Sequence, residues 1–270
     1  HKRVNSPMEE LIHKIKEIVN RKEFLYEEFF MFINGIENIP IYAYSIKKDS
    51  IFFRTRININ NKPFKNISEL GFPPSNKVSD FERANRPSQS LLYLSDTMST
   101  SISEMKFLQN LKAGESVKTT VTKWVVKEDF PIKIIPDFDN PKMNQLIDSI
   151  KNDVSSGQLE FLKTMNYFFR AQYNEENKFA YHITSAFCNS LLAESIRINK
   201  ENYGTMFTSV QTGIGFNLAL KPLVVLKNNI QVTEVTEYLF QKLGNHNTCE
   251  LRKKITANEI CKKTGEIFWN

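Results

Sequence analysis

The sequence predicts a mixed α+β protein in which strands, several of them joined in hairpins, alternate with helices. Three observations carry this. SVKTTVTKWVV (Ser116 to Val126) alternates in the two-residue period of a strand with one buried face. Two stretches place apolar residues at helical spacing: Met8, Leu11, Ile12, Ile15, Ile18 and Val19, and later Phe179, Ile183, Ala186, Phe187 and Leu191. A chain of 270 residues is long enough to bury a sizeable core, as one large domain or one domain with appendages.

Taken in order, Pro7 to about Asn34 reads as one helix, with Ser6 as N-cap, Pro7 in the first turn and Gly35 to Pro40 ending it. Ile41 to Ile46 and Ser50 to Ile57 read as strands across a KKD turn. Asn58 to Ser90 is polar, aperiodic and rich in proline (Pro63, Pro73, Pro74, Pro87), the pattern of a functional or mobile loop. The strand LLYLS, a helix from about Ser99 to Leu111, the strand Ser116 to Val126 and a short strand Pro131 to Asp137 follow. Pro141 to about Ile198 is helical in two or three pieces. Thr205 to Val210 and Phe216 to Leu220 are strands joined by a glycine-containing turn, and Leu223 to Lys227 reads as a third. Thr233 to Leu243 is expected to be a short helix before a polar, lysine-rich end.

A net charge of +6 suits phosphate-bearing or acidic partners. The basic residues are scattered over the chain and not clustered on one element, so a nucleic-acid groove is not expected. The three cysteines, Cys188, Cys249 and Cys261, share no metal-type spacing and form no disulfide framework. With no secretory signal and no apolar run of membrane-spanning length, a cytoplasmic setting is expected. Cys188 lies in an apolar helical pattern and is expected to be a buried thiol. His182 on that stripe is read as a core residue. The absence of a G-x-S-x-G elbow, a P-loop or a G-x-G-x-x-G turn argues against an α/β-hydrolase-type serine nucleophile, a P-loop or a Rossmann crevice.

Ser79 to Phe107 is the most informative stretch. A basic loop (Arg83, Arg86) leads to an apolar strand carrying Tyr93, and then to a helix start carrying Glu104. A strand–turn–helix unit of this kind brings an aromatic ring, a carboxylate and a guanidinium to one edge, equipment suited to a cationic sugar centre with a phosphate attached.

Five segments in order, FFRTRI, the ERANRP loop, LLYLSDT with SISEM, MFTSV and GFNLAL, resemble the RES domain, named for an Arg, a Glu and a Ser, over about Ile51 to Leu220. The resemblance implies a fold like that of ADP-ribosyltransferases, with mixed and antiparallel sheets flanked by helices. It also implies an organisation of an N-terminal helical extension (1–45), a catalytic domain (46–228) and a C-terminal extension packed on it (229–270). It implies an enzyme: an NAD-degrading toxin or defence effector that cleaves the nicotinamide–ribose bond by hydrolysis or phosphorolysis. NAD is then a substrate, phosphate a co-substrate, and no resident cofactor or metal is expected. The alternatives are transfer of ADP-ribose to a protein or nucleic acid, and a non-catalytic binding module. An Xre-type antitoxin and a homodimer are the partners it suggests.

Residue by residue, the resemblance gives Arg54 (or Arg56) a phosphate grip and Tyr93 the nicotinamide end. Glu104 takes the developing oxocarbenium charge, and Ser209 and Asn217 the pocket wall. Arg83, with Asn85 alongside, matches the arginine of the family's Gly-Arg-x-Asn-Pro-Pro-Gly loop. Here Glu82 stands for the first glycine, Arg86 for the first proline and Ser88 for the last glycine; Thr208 replaces the proline usual before Ser209.

Overall fold

The computed structural model describes residues 7–21, 26–36, 39, 42–148, 154–172, 179–197, 201–243 and 249–269. The predicted mixture of helix and strand is what it contains. The chain forms two compact units, each built from separated stretches.

The first unit takes His1–Ser45, Pro74–Ser90 and Pro131–Ile214. Its helices are α1 (Pro7–Arg21), α2 (Tyr26–Asn34), α5 (Pro141–Ile147), α6 (Ser156–Arg170) and α7 (Phe179–Arg197). Strands β1 (Tyr42–Ile46), β5 (Phe130–Ile134) and β6 (Gly204–Thr208) lie in the order β1–β5–β6, with β5 and β6 parallel. The apolar stripe of α1 (Met8, Leu11, Ile12, Ile15, Ile18) is buried, as its spacing predicts. Within the span expected as one helix over Pro7 to Asn34, the described residues form α1 and α2, and residues 22–25 between them lie outside the described residues. Ser6, the expected cap, lies outside the described residues. Helix α6 starts on a capping box, Ser155 with Gln158, and α5 on Asn140, whose side chain accepts from the Lys142 and Met143 amides. Aromatic rings of α6 and α7 fill the core between them, Phe161 edge-on to Phe187 with centroids 5.7 Å apart.

The second unit takes Ile46–Pro73, Leu91–Phe130 and Gly215–Asn270. Its sheet runs β7 (Phe216–Leu220), β3 (Leu92–Ser95), β2 (Ile51–Ile57), β4 (Ser116–Val126), β8 (Ile230–Lys242), β9 (Cys249–Thr256), every neighbour antiparallel. Helices α3 (Met98–Ser103), α4 (Lys106–Gln109) and α8 (Leu223–Leu226) complete it, with the hairpin of β10 (Glu259–Ile260) and β11 (Ile267–Phe268).

Three expectations fail in this unit. The helix expected over about Ser99 to Leu111 is two short ones, α3 and α4, because Met105 adopts the extended φ −79° and ψ 94°, and Glu104 therefore closes a helix instead of starting one. Residues Thr233 to Lys242, expected with Leu243 as a helix, are strand: β8 pairs along all of β4, from Ser116–Gln241 to Val126–Ile230. Its β-branched residues suit a pleated surface, and a long partner strand is available. The charge that imitates a helical pattern, Glu237, is buried; it accepts from Asn58 Nδ2 at 2.8 Å and pairs with Lys118 Nζ at 3.0 Å. Leu223 to Leu226 is helix, not strand, because Pro222 adopts φ −51° and ψ −29° and its carbonyl accepts from the Leu226 amide. Four apolar residues are too few to define a period.

The tail is an integral part of this unit. Phe64, Leu70, Val235 and Ile267 form one buried cluster, with Ile67 and Trp269 packed against it. The Ile67 amide donates to the Gly265 carbonyl at 2.9 Å, and Trp269 Nε1 to the Phe64 carbonyl at 2.8 Å. Gly265 has φ +74°, and a Cβ there meets Ile67 Cγ1 at 2.8 Å. Gly265→Ala is therefore expected to cost about 2 kcal/mol, read as a lowered urea midpoint. An unchanged midpoint shows that the turn accommodates a side chain.

Candidate functional site

Cross-strand partners share a sheet face, and alternate residues share it along each strand. The pairs Phe53–Ser95 and Ser95–Asn217 therefore place these three residues on one face of the second unit's sheet, together with Thr55 and Tyr93. Helix α3 covers that face. Its start is capped by Thr97, whose Oγ1 accepts from the Thr100 amide at 3.0 Å. Small residues on α3 allow close approach to β2, where Ser101 Oγ and Thr55 Oγ1 share a buried hydrogen bond of 2.8 Å.

Glu104 is the C-cap of α3, so the helix delivers its carboxylate back to the sheet. Asn217 Nδ2 donates to Glu104 Oε1 at 2.8 Å, and Ser95 Oγ donates to Asn217 Oδ1 at 2.7 Å. Ser95 is 5% exposed and Asn217 7%, while Glu104 and Tyr93 are half-buried. The structure thus joins Glu104 and Asn217, which lie 113 positions apart. It adds Ser95, which the sequence reading missed. The only signal for Ser95 was a hydroxyl closing an apolar strand.

Alternation sets Arg54 and Arg56 on the other face. Arg54 Nη1 donates to the Tyr93 carbonyl at 3.0 Å, beside the point where β2 and β3 pair through Phe53 and Ser95. Its guanidinium is thereby a fixed positive charge against the main chain of Tyr93. Arg56 donates to the Glu69 carbonyl and lies 5.8 Å over the Phe64 ring; burial draws its pKa below the ordinary arginine value, opposed by Glu69.

Arg83, Asn85 and Ser209 belong to the first unit. Arg83 caps the C-terminal end of α6: Nη1 donates to the carbonyls of Phe168 (3.3 Å) and Phe169, and Nη2 to that of Ala171 (3.1 Å). A cation there complements both the exposed carbonyls and the helix dipole. The same guanidinium stands 5.1 Å over the Tyr181 ring. Asn85 is buried, and its carbonyl accepts from the Glu82 amide at 3.0 Å, closing the loop on itself. Ser88 has φ 62°, the left-handed conformation that a glycine takes most readily. Ser209 is fully buried, its Oγ accepting from the Thr212 amide at 3.2 Å to shape the turn after β6.

His182 is a packed residue, in keeping with its place on the apolar stripe: its ring stacks on Phe81 with centroids 4.0 Å apart. Burial lowers its pKa, opposed by Glu27. The unfolded chain binds a proton that the folded one refuses, so stability falls as pH drops from the ordinary histidine value of about 6.5 towards the lower folded value. The urea midpoint is expected to fall between about pH 7.5 and about pH 5.5, and to fall less in His182→Gln. Equal losses in both proteins assign that slope to other groups. Cys188 is likewise buried, and burial pushes its thiol up to about 12, leaving it protonated and inert as a nucleophile.

Among the described residues, no group of three His, Cys, Asp or Glu side chains is placed to hold a metal. Among the same residues, no helix is long and apolar enough to cross a membrane. No family model matches the chain, and no curated protein matches it.

Proposed function

We propose that the chain is a RES-type enzyme that cleaves the bond between nicotinamide and ribose in NAD. The observation that carries this reading is the carboxylate of Glu104, half-buried and oriented by the amide of Asn217 on a rigid sheet. Breaking the glycosidic bond sends its electron pair to the nicotinamide nitrogen and leaves an oxocarbenium-like ribose carbon. A preoriented carboxylate stabilises that charge without reorganising at the moment of reaction. Tyr93, on the same face, lines the nicotinamide end; Arg54, on the other face and bonded to the Tyr93 carbonyl, supports β3 from behind, and the phosphate grip that the resemblance gives it is not part of this reading. Water or phosphate then adds to the ribose carbon and gives up its proton to solvent. Ser88, which stands where the family's loop has its last glycine, has φ 62°, a conformation that glycine adopts without strain.

Loss of NAD arrests growth, which makes the chain a toxin or defence effector working in the cytoplasm. An Xre-type antitoxin is the partner this reading names, and the net charge of +6 suits an acidic inhibitor.

The test is chromatographic. The protein is incubated with NAD, with and without phosphate, and nicotinamide is followed. Nicotinamide release in proportion to protein is expected, with ADP-ribose or its phosphate ester as co-product. NAD that stays intact overturns the proposal. Label from NAD trapped on a macromolecule reassigns the second step to ADP-ribose transfer.

A further inference from the structure

We propose that Ser95 is a positioning residue for Glu104, acting through the amide of Asn217; the catalytic consequence rests on the NAD-cleaving function proposed above, while the geometry does not. An ionised carboxylate only accepts hydrogen bonds. Asn217 must therefore turn Nδ2 towards Glu104 Oε1, 2.8 Å away, which turns Oδ1 towards Ser95. The serine hydroxyl, 2.7 Å from Oδ1, has to be the donor. The three groups thus have one self-consistent proton arrangement, running from Ser95 to Asn217 to Glu104, and each bond polarises the next.

The backbone holds the first two members of this chain rigidly. Ser95 and Asn217 stand directly opposite each other in the β3–β7 ladder, and Ser95 is also paired with Phe53 on β2. At 5% and 7% exposure neither side chain can exchange its partner for bulk water. Removing the hydroxyl leaves the buried Oδ1 without the donor that defines its direction. The amide is then free to rotate about its last torsion, and the carboxylate loses its fixed donor. A displacement of about 1 Å at a reacting centre costs on the order of a hundredfold in rate.

The experiment compares the wild type with Ser95→Ala and Ser95→Thr. The first readout is the Asn217 side-chain amide in ¹⁵N-asparagine-labelled protein, identified by its disappearance in Asn217→Asp. In the wild type its two protons are expected to be inequivalent and slow to exchange. Ser95→Ala is expected to shift the signal and speed exchange, and Ser95→Thr, which keeps a hydroxyl, to restore both. The second readout is nicotinamide release: Ser95→Ala is expected to lower kcat on the order of ten- to a hundredfold with KM little changed, and Ser95→Thr to recover most of it.

An Asn217 signal unaltered by Ser95→Ala overturns the positioning role whatever the activity. So does a folded Ser95→Thr whose Asn217 side-chain protons exchange much faster than the wild type's, a comparison that stays decisive where alanine does not fold. A kcat unchanged in Ser95→Ala overturns the catalytic consequence. If the wild type releases no nicotinamide, the proposed function falls, while the amide signal still decides the positioning.

Discussion

Glu104→Gln is expected to lower nicotinamide release by about 10²- to 10³-fold while leaving the fold in place. The substitution is nearly isosteric. Its amide oxygen can still accept from Asn217 Nδ2, so the local hydrogen bond of 2.8 Å has a replacement. Only the negative charge is lost. A reaction that builds positive charge on ribose depends on that charge, whereas binding of NAD in its ground state depends on it less. The loss should therefore fall on kcat more than on KM. Saturating NAD and chromatographic quantitation of nicotinamide measure the first; circular dichroism and a thermal midpoint within a few degrees of the wild type verify the fold. A Gln variant with undiminished turnover places the chemistry elsewhere in the molecule.

Arg83→Ala is expected to destabilise the protein by about 2–3 kcal/mol, through the fold and not through the reaction. Its guanidinium serves three carbonyls at the end of α6 and faces the Tyr181 ring. Alanine leaves those carbonyls without their charged donor at a partly buried helix end. Arg83→Lys should recover less than half of the loss, because an ammonium cannot span three carbonyls in the planar fork of a guanidinium. Urea denaturation is the measurement. A midpoint unmoved by alanine removes the capping role and leaves the phosphate grip implied by the resemblance as the better reading of Arg83.

The elements with strong local signals are legible in the amino-acid sequence. The alternation of Ser116 to Val126 is strand β4, and the stripes of α1 and α7 are buried apart from the half-buried Val19 and Phe179. Glu104 and Asn217 stand out as residues, yet their contact cannot be read from the chain, since the pairing of β3 with β7 bridges more than a hundred residues. Where local signals are short or ambiguous they mislead. The four-residue run after Pro222 has no period, and the charges of β8 resemble a helical pattern although Glu237 pairs with Asn58 and Lys118 in the sheet.

By itself, then, the sequence determined the α+β class, the buried stripes and the residue types able to handle a cationic sugar. Those follow from side-chain period and chemistry, which each stretch carries locally. Tertiary structure alone decided which partners these polar groups meet. It gave Arg83 to the end of a helix and Ser209 to a turn, and it linked Ser95, Asn217 and Glu104 into one hydrogen-bonded chain. The reason is physical: a buried donor or acceptor must find a partner, and the partner is chosen by strand pairing and helix packing between residues distant in sequence.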